Sequence, residues 1–299
     1  MFQSLFNRLV IVLIFLLSLA GCSSTKLAYR YADWGIVWWV EDYIPMTDEQ
    51  EAQLEKDIVE LRQWHCSSEL PRYSSWLSEL KQDVRSGELQ RDTVAHHQEQ
   101  LFSFFLPIAD RAKPAASRLL ASLTDDQVEA LANNMDESQQ KLEEEFLKED
   151  PKQTRQARAE RTQERVERWL GDLNEQQVTI VEKWSENRGR QTEIWLEGRR
   201  NWQKALLETL DQREEAAFKD QVAYLIDNNA EVRGPRYQQM MNESRVAMAE
   251  LMTSLLERAD PEQLDFLLDR ASTLRGDFNT LACNDESIEE GRTEQVGQL

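Results

Sequence analysis

The chain has 299 residues, 55 acidic against 35 basic side chains, and a formal net charge of −20. So acidic a surface cannot hold nucleic acid by counterion release, and it disfavours generic adhesion to anionic lipid. Gly and Pro are scarce, Glu, Gln, Leu, Ala and Arg abound, and no β-branched run alternates over strand length, so the expected fold is all-α.

Residues 1–21 read as a secretory signal. Arg8 lies in a short n-region, and an apolar run from Leu9 to Leu19 is interrupted only by Ser18. That run suits a signal h-region and falls short of the roughly 20 residues of a spanning helix. Leu19-Ala20-Gly21-Cys22 has the order of a bacterial lipoprotein signal, in which Cys22 becomes the first residue and carries acyl chains. Two or more chains anchor stably where one is marginal. Ser23, not Asp, follows the cysteine, so the expected place is the periplasmic face of the outer membrane, with the inner membrane as alternative. After cleavage the chain divides into a lipidated, aromatic-rich segment (22–46), an α-helical domain (47–275) and a polar tail (276–299).

Of three cysteines, the anchor uses Cys22, which leaves Cys66 and Cys283 in an oxidising compartment. A disulfide between them is expected. It closes a loop of more than 200 residues and contributes roughly 4 to 5 kcal/mol in the chain-entropy model. The alternative is two unpaired thiols.

Four capping boxes punctuate the helical region. Met46-Thr47-Asp48-Glu49-Gln50, Leu123-Thr124-Asp125-Asp126-Gln127 and Leu173-Asn174-Glu175-Gln176-Gln177 share one pattern, and Asp260-Pro261-Glu262-Gln263 adds a fourth with Pro at the first helical position. In each, the cap oxygen takes an orphan backbone N–H and the Gln reaches back to the cap's own N–H. Their uneven spacing excludes a solenoid array. Between them run apolar stripes: Leu54, Ile58 and Leu61; Tyr73, Leu77, Leu80 and Val84; Leu101, Phe105 and Ile108. Trp184, Trp195, Trp202 and Leu206 read as one side of a helix, although Gly189 and Gly198 interrupt it. Gly234-Pro235 breaks the later helices, and the last helical pattern holds from Pro261 to about Leu274. The architecture expected is an elongated bundle of long antiparallel helices.

Two features suggest binding. Tyr29, Tyr31, Trp34, Trp38, Trp39 and Tyr43 crowd the segment just past the anchor, and Trp34, Trp38, Trp39 and Tyr43 are candidate membrane-proximal rings. The competing and favoured expectation is that Leu27, Tyr31, Trp34 and Trp38 pack into the bundle as an ordinary core helix. Arg155, Arg158, Arg161, Arg165 and Arg168 recur every three or four residues, a basic helix face suited to carboxylates or phosphates. Its ordinary alternative is internal pairing with Glu160, Glu164, Glu167 or the Glu143-Glu144-Glu145 run.

Chemistry is harder to find. His96 and His97 are adjacent and point to different sides of a helix, so they do not chelate one metal. His65 beside Cys66 has the same fault as a base and nucleophile. No H-E-x-x-H, G-x-S-x-G, phosphate loop or C-x-x-C occurs. No catalytic residue, metal or cofactor is expected.

The lipobox, Leu27-Ala28-Tyr29 with Trp34, the run from Trp38 to Tyr43, Thr47-Asp48-Glu49-Gln50, Trp64-His65 and Leu70-Pro71-Arg72-Tyr73 resemble an uncharacterised family of proteobacterial lipoproteins, a domain of unknown function. The resemblance supplies no activity and no functional residues. Leu123-Thr124 with Gln127 is also similar to the Leu-Thr-x-x-Gln motif of small helical periplasmic chaperones. The expected function is a non-enzymatic outer-membrane lipoprotein that offers helical faces to a periplasmic protein partner. Holding of unfolded envelope clients is the alternative, and an enzyme acting on cell-wall or lipid substrates a distant second one.

Overall fold

The computed structural model describes residues 24–147 and 150–283. The signal, Cys22 and residues 284–299 of the tail lie outside them. Among the described residues there is no strand, and no helix is long and apolar enough to cross a membrane.

The chain enters through α1 (Ser24–Arg30), which packs on the helix Pro261–Leu281, and α2 (Ala32–Glu41), which lies over α3 (Asp48–Trp64). A single π-helical turn, His65–Glu69, joins α3 to α4 (Leu70–Ser86) without a break. Pro71 has no N–H and its ring crowds the carbonyl four residues back, and a π-bulge relieves this conflict. The Leu70 N–H accordingly reaches back to the His65 carbonyl. Then follow α5 (Arg91–Ser103), α6 (Phe105–Ala121), α7 (Asp125–Leu147), α8 (Pro151–Leu170), α9 (Glu175–Glu186) and α10 (Gln191–Leu210). The chain ends with α11 (Phe218–Asp227), the one-turn α12 (Asn229–Val232), α13 (Pro235–Leu256) and α14 (Pro261–Leu281).

The packed pairs are antiparallel. Gln50 reaches Ser122 and Asp57 pairs with Arg118 between α3 and α6. Between α7 and α10, Gln139 meets Arg199 while the Met135 carbonyl meets Gln203. Ser74 meets Asn279 and Ser78 meets Arg275 along α4 and α14. Apolar side chains gather in two main cores. One holds Leu131, Leu206, Leu210, Phe218 and Val222; the other holds Val84, Val166, Val181, Leu255 and Leu267. The α3–π–α4 run spans both halves, and α10 approaches α13 at Gly198, where an added Cβ would stand 2.8 Å from Tyr237 Cδ2.

The boxes pair two by two. Gln50 and Gln127 exchange side-chain amide hydrogen bonds at 3.2 and 2.7 Å, and Gln177 and Gln263 do so at 3.0 and 2.9 Å. Each Nε2 also donates to a backbone carbonyl of the partner segment: Ser122, Pro45, Leu255 and Asp172 respectively. With the cap N–H on each Oε1, all four amides use both their donors and both acceptor positions. The disulfide Cys66–Cys283 is present with a Cα–Cα distance of 5.2 Å.

Several expectations change. α14 continues past Leu274 and Gly276 to Leu281, so the tail does not begin at 276. Asp277 is buried on the helix and pairs with Lys26 of α1, which holds those last turns. The Leu101, Phe105 and Ile108 stripe is split at Phe104, a turn residue that is itself buried while Leu101 and Phe105 are exposed. Trp184 shares no helix with Trp202: turns at 187–190, with Gly189 at φ 54°, separate α9 from α10, and the two rings pack against different cores. Gly198, by contrast, lies inside an unbroken α10.

Candidate functional site

Residues 24–41 have two faces of different character. Tyr29, Asp33 and Val37, at four-residue intervals, bind the body: the Tyr29 hydroxyl lies 3.1 Å from His65 Nδ1, Asp33 pairs with Arg62 at 2.6 Å, and Val37 packs on Leu54 and Ile58. The opposite face holds Leu27, Tyr31, Trp34 and Trp38, which are 54, 58, 70 and 55 % exposed. The core-helix expectation is therefore overturned for these four residues, because the ion pair, hydrogen bonds and Val37 fix the other face inward. Trp34 and Trp38 stack with ring centroids 6.4 Å apart. Trp39 is exposed as well. Tyr43 instead turns inward, its hydroxyl on Ser138 and its carbonyl accepting from Asn134. Contiguous exposed apolar rows are a feature of protein and membrane contact sites.

Behind Tyr29 a chain of rings runs through His65, Tyr73 and Phe104 to Trp76. His65 is held between two phenols, with Tyr29 at 3.1 Å and Tyr73 at 3.2 Å. Burial lowers its pKa against the opposing field of Glu69, and burial first raises both phenols to about 12. Beside Phe104, Phe105 and Leu106 are 63 and 68 % exposed.

The arginine face lies on α8. Arg155, Arg161, Arg165 and Arg168 are exposed, and among the described residues none of them pairs with a carboxylate. Among the described residues no ion pair neutralises this face, and Glu143 pairs with Arg200 at 2.8 Å. Arg158 turns inward to donate to the Ser185 carbonyl at 3.1 Å. Burial, then repulsion from Arg188, Arg161 and Arg155, holds its pKa below the usual value.

The two adjacent histidines are engaged locally. His97 meets Asp83 at 2.9 Å and His96 meets Glu79 at 3.4 Å. The buried carboxylates have cationic partners: Glu69 has Arg72, Asp277 has Lys26, and the sheltered side chain of Asp57 has Arg118. Among the described residues no group of His, Cys, Asp and Glu is placed to hold a metal ion.

Between α2, α3, α6, α7, α10 and α11 a cavity of about 600 Å³ opens into the first core. Its walls are hydrocarbon, with Ala112, Ala115 and Ala116 of α6 leaving the space, and with Arg111, Arg199 and Arg233 among the few polar members. Nothing in the sequence pattern distinguishes these arginines, since they lie on three different elements.

Fold and surfaces thus define an all-α bundle with an aromatic face, a basic helix and an apolar cavity. The chain belongs to DUF6279, a family of unknown function whose model matches residues 42–238. The aromatic row and Cys283 lie outside the matched stretch. No curated protein and no solved structure matches the chain.

Proposed function

We propose that this protein is a non-enzymatic lipoprotein of the outer membrane's periplasmic face, a binding module held by acylated Cys22 and seated on the bilayer through its first two helices. The exposed row Leu27, Tyr31, Trp34 and Trp38 carries the reading. It begins five residues after Cys22, and amphipathic rings favour the boundary where headgroups meet water. Acyl chains supply the anchor and the rings set the orientation. The arginine face of α8 then serves an acidic periplasmic partner, since among the described residues Arg155, Arg161, Arg165 and Arg168 form no ion pair with a carboxylate.

The lipoprotein, reconstituted into vesicles containing brominated phosphatidylcholine, tests this. Tryptophan quenching is expected, and Trp34→Phe with Trp38→Phe is expected to remove most of it. Equal quenching with and without these two rings excludes the seating. Exposure of Phe105 and Leu106 favours a second reading, the holding of unfolded clients, which requires suppression of client aggregation near stoichiometric ratios.

A further inference from the structure

We infer that the cavity beneath α2 binds a single acyl chain with an anionic head group. Native interiors are packed close to crystal density and voids larger than a water molecule are few. A half-open cavity of about 600 Å³ leaves hydrocarbon facing solvent, which is unfavourable until it is covered, and its size falls in the range of small-molecule sites. Larger side chains at Ala112, Ala115 and Ala116, which line it, would fill it. Predominantly hydrocarbon walls favour an apolar body over a polar one.

The charges specify the other end of the ligand. Arg111, Arg199 and Arg233 stand in the wall, and among the described residues none of the three has a carboxylate partner. Arg111 lies over the Trp64 ring at 6.0 Å, and Arg199 donates to Gln139 and Ser138, both neutral. Arg233 lies over the Tyr237 ring, and its Nε is buried without a hydrogen-bond acceptor. The one carboxylate of the wall, Asp57, is already engaged by Arg118. The cavity is thus net positive in a chain of charge −20. An uncompensated buried donor on a cation calls for an anion, and guanidinium forks suit carboxylate and phosphate alike. Free fatty acid and lysophospholipid share this chemistry. The inference goes beyond the membrane seating, which involves the opposite face of α1 and α2.

The intact lipoprotein in its membrane is exposed to an alkyne-tagged palmitate bearing a diazirine in mid-chain, irradiated, and mapped by peptide mass spectrometry. Adducts are expected on α6 and α11. Ala116→Trp, which fills the cavity, is expected to cut them at least tenfold, and Arg233→Gln to weaken uptake about tenfold, the scale of one charged hydrogen bond. Thermal unfolding checks both variants; if Ala116→Trp fails to fold, Arg233→Gln decides. A matching lysophosphatidylglycerol probe identifies the source of the head group, and cavity labelling by either sustains the site. Adducts confined to the Leu27 to Trp38 face, labelling unchanged in both variants, or equal labelling by an uncharged hexadecanol probe overturns it.

Discussion

Gln177 and Gln263, 86 residues apart, cap their own helices and hydrogen-bond each other reciprocally at 3.0 and 2.9 Å in a buried setting. One amide thereby fixes a helix start, the partner helix's start and a carbonyl at the end of a third segment. Gln177→Ala removes a cap contact and leaves the Gln263 amide short of partners. It is expected to cost about 2 to 4 kcal/mol in urea unfolding. A double-mutant cycle with Gln263→Ala is expected to show coupling above about 0.5 kcal/mol, as contacting residues do; additive losses would contradict the pairing.

The disulfide joins the π-turn between α3 and α4 to the residues just past α14, positions 217 apart. Replacing both Cys66 and Cys283 with Ala is expected to lower stability by up to about 5.4 kcal/mol in the chain-entropy model. The wild-type chain should migrate faster on a non-reducing gel than on a reducing one, and the double variant identically on both.

His65 ties stability to pH. Its folded pKa is depressed by burial, while the unfolded chain takes up the proton near pH 6.5. As pH falls through that value the unfolded state binds more protons, so stability declines, levelling only below the folded pKa. His65→Gln is expected to flatten the decline between pH 7 and 5.5 in urea midpoints. Glu143, held down to about 2 by Arg200 and then Gln139, acts in a separate window. Its contribution is complete above about pH 4.5 and is lost as pH falls toward 2.

Arg161 is exposed and, among the described residues, forms no ion pair. Arg161→Glu is therefore expected to leave folding stability within about 0.5 kcal/mol. A photo-crosslinking residue at the same position in living cells is expected to capture one reproducible envelope protein, lost when the neighbouring arginines are reversed in charge. No adduct there would end the docking role of α8.

Gly198 marks a tight approach of α10 to α13. Gly198→Ala places Cβ against the Tyr237 ring and is expected to cost about 1 to 3 kcal/mol by overpacking. Adding Tyr237→Ala is expected to recover part of that loss in thermal unfolding.

The sequence by itself determined the all-α class and the four helix starts, and it pointed to the partnership of Cys66 with Cys283, which the structure forms. Capping boxes are local: cap and Gln are three residues apart, so the chemistry is complete within one turn. The cysteine pairing was legible because only Cys66 and Cys283 remain if the proposed anchor takes Cys22. Periodicity also showed which residues share a helix face, but it could not say which face turns inward. Residues 24–41 carry apolar and aromatic groups on both sides, so the choice fell to Tyr29, Asp33 and Val37, whose partners Arg62, His65, Leu54 and Ile58 lie on the next helix. Only the tertiary structure decided that Trp34 and Trp38 face outward, that Gln50 pairs with Gln127 and Gln177 with Gln263, and that three arginines meet at an apolar cavity. Each of these depends on contacts between residues distant in sequence, whose geometry is set by packing the whole bundle.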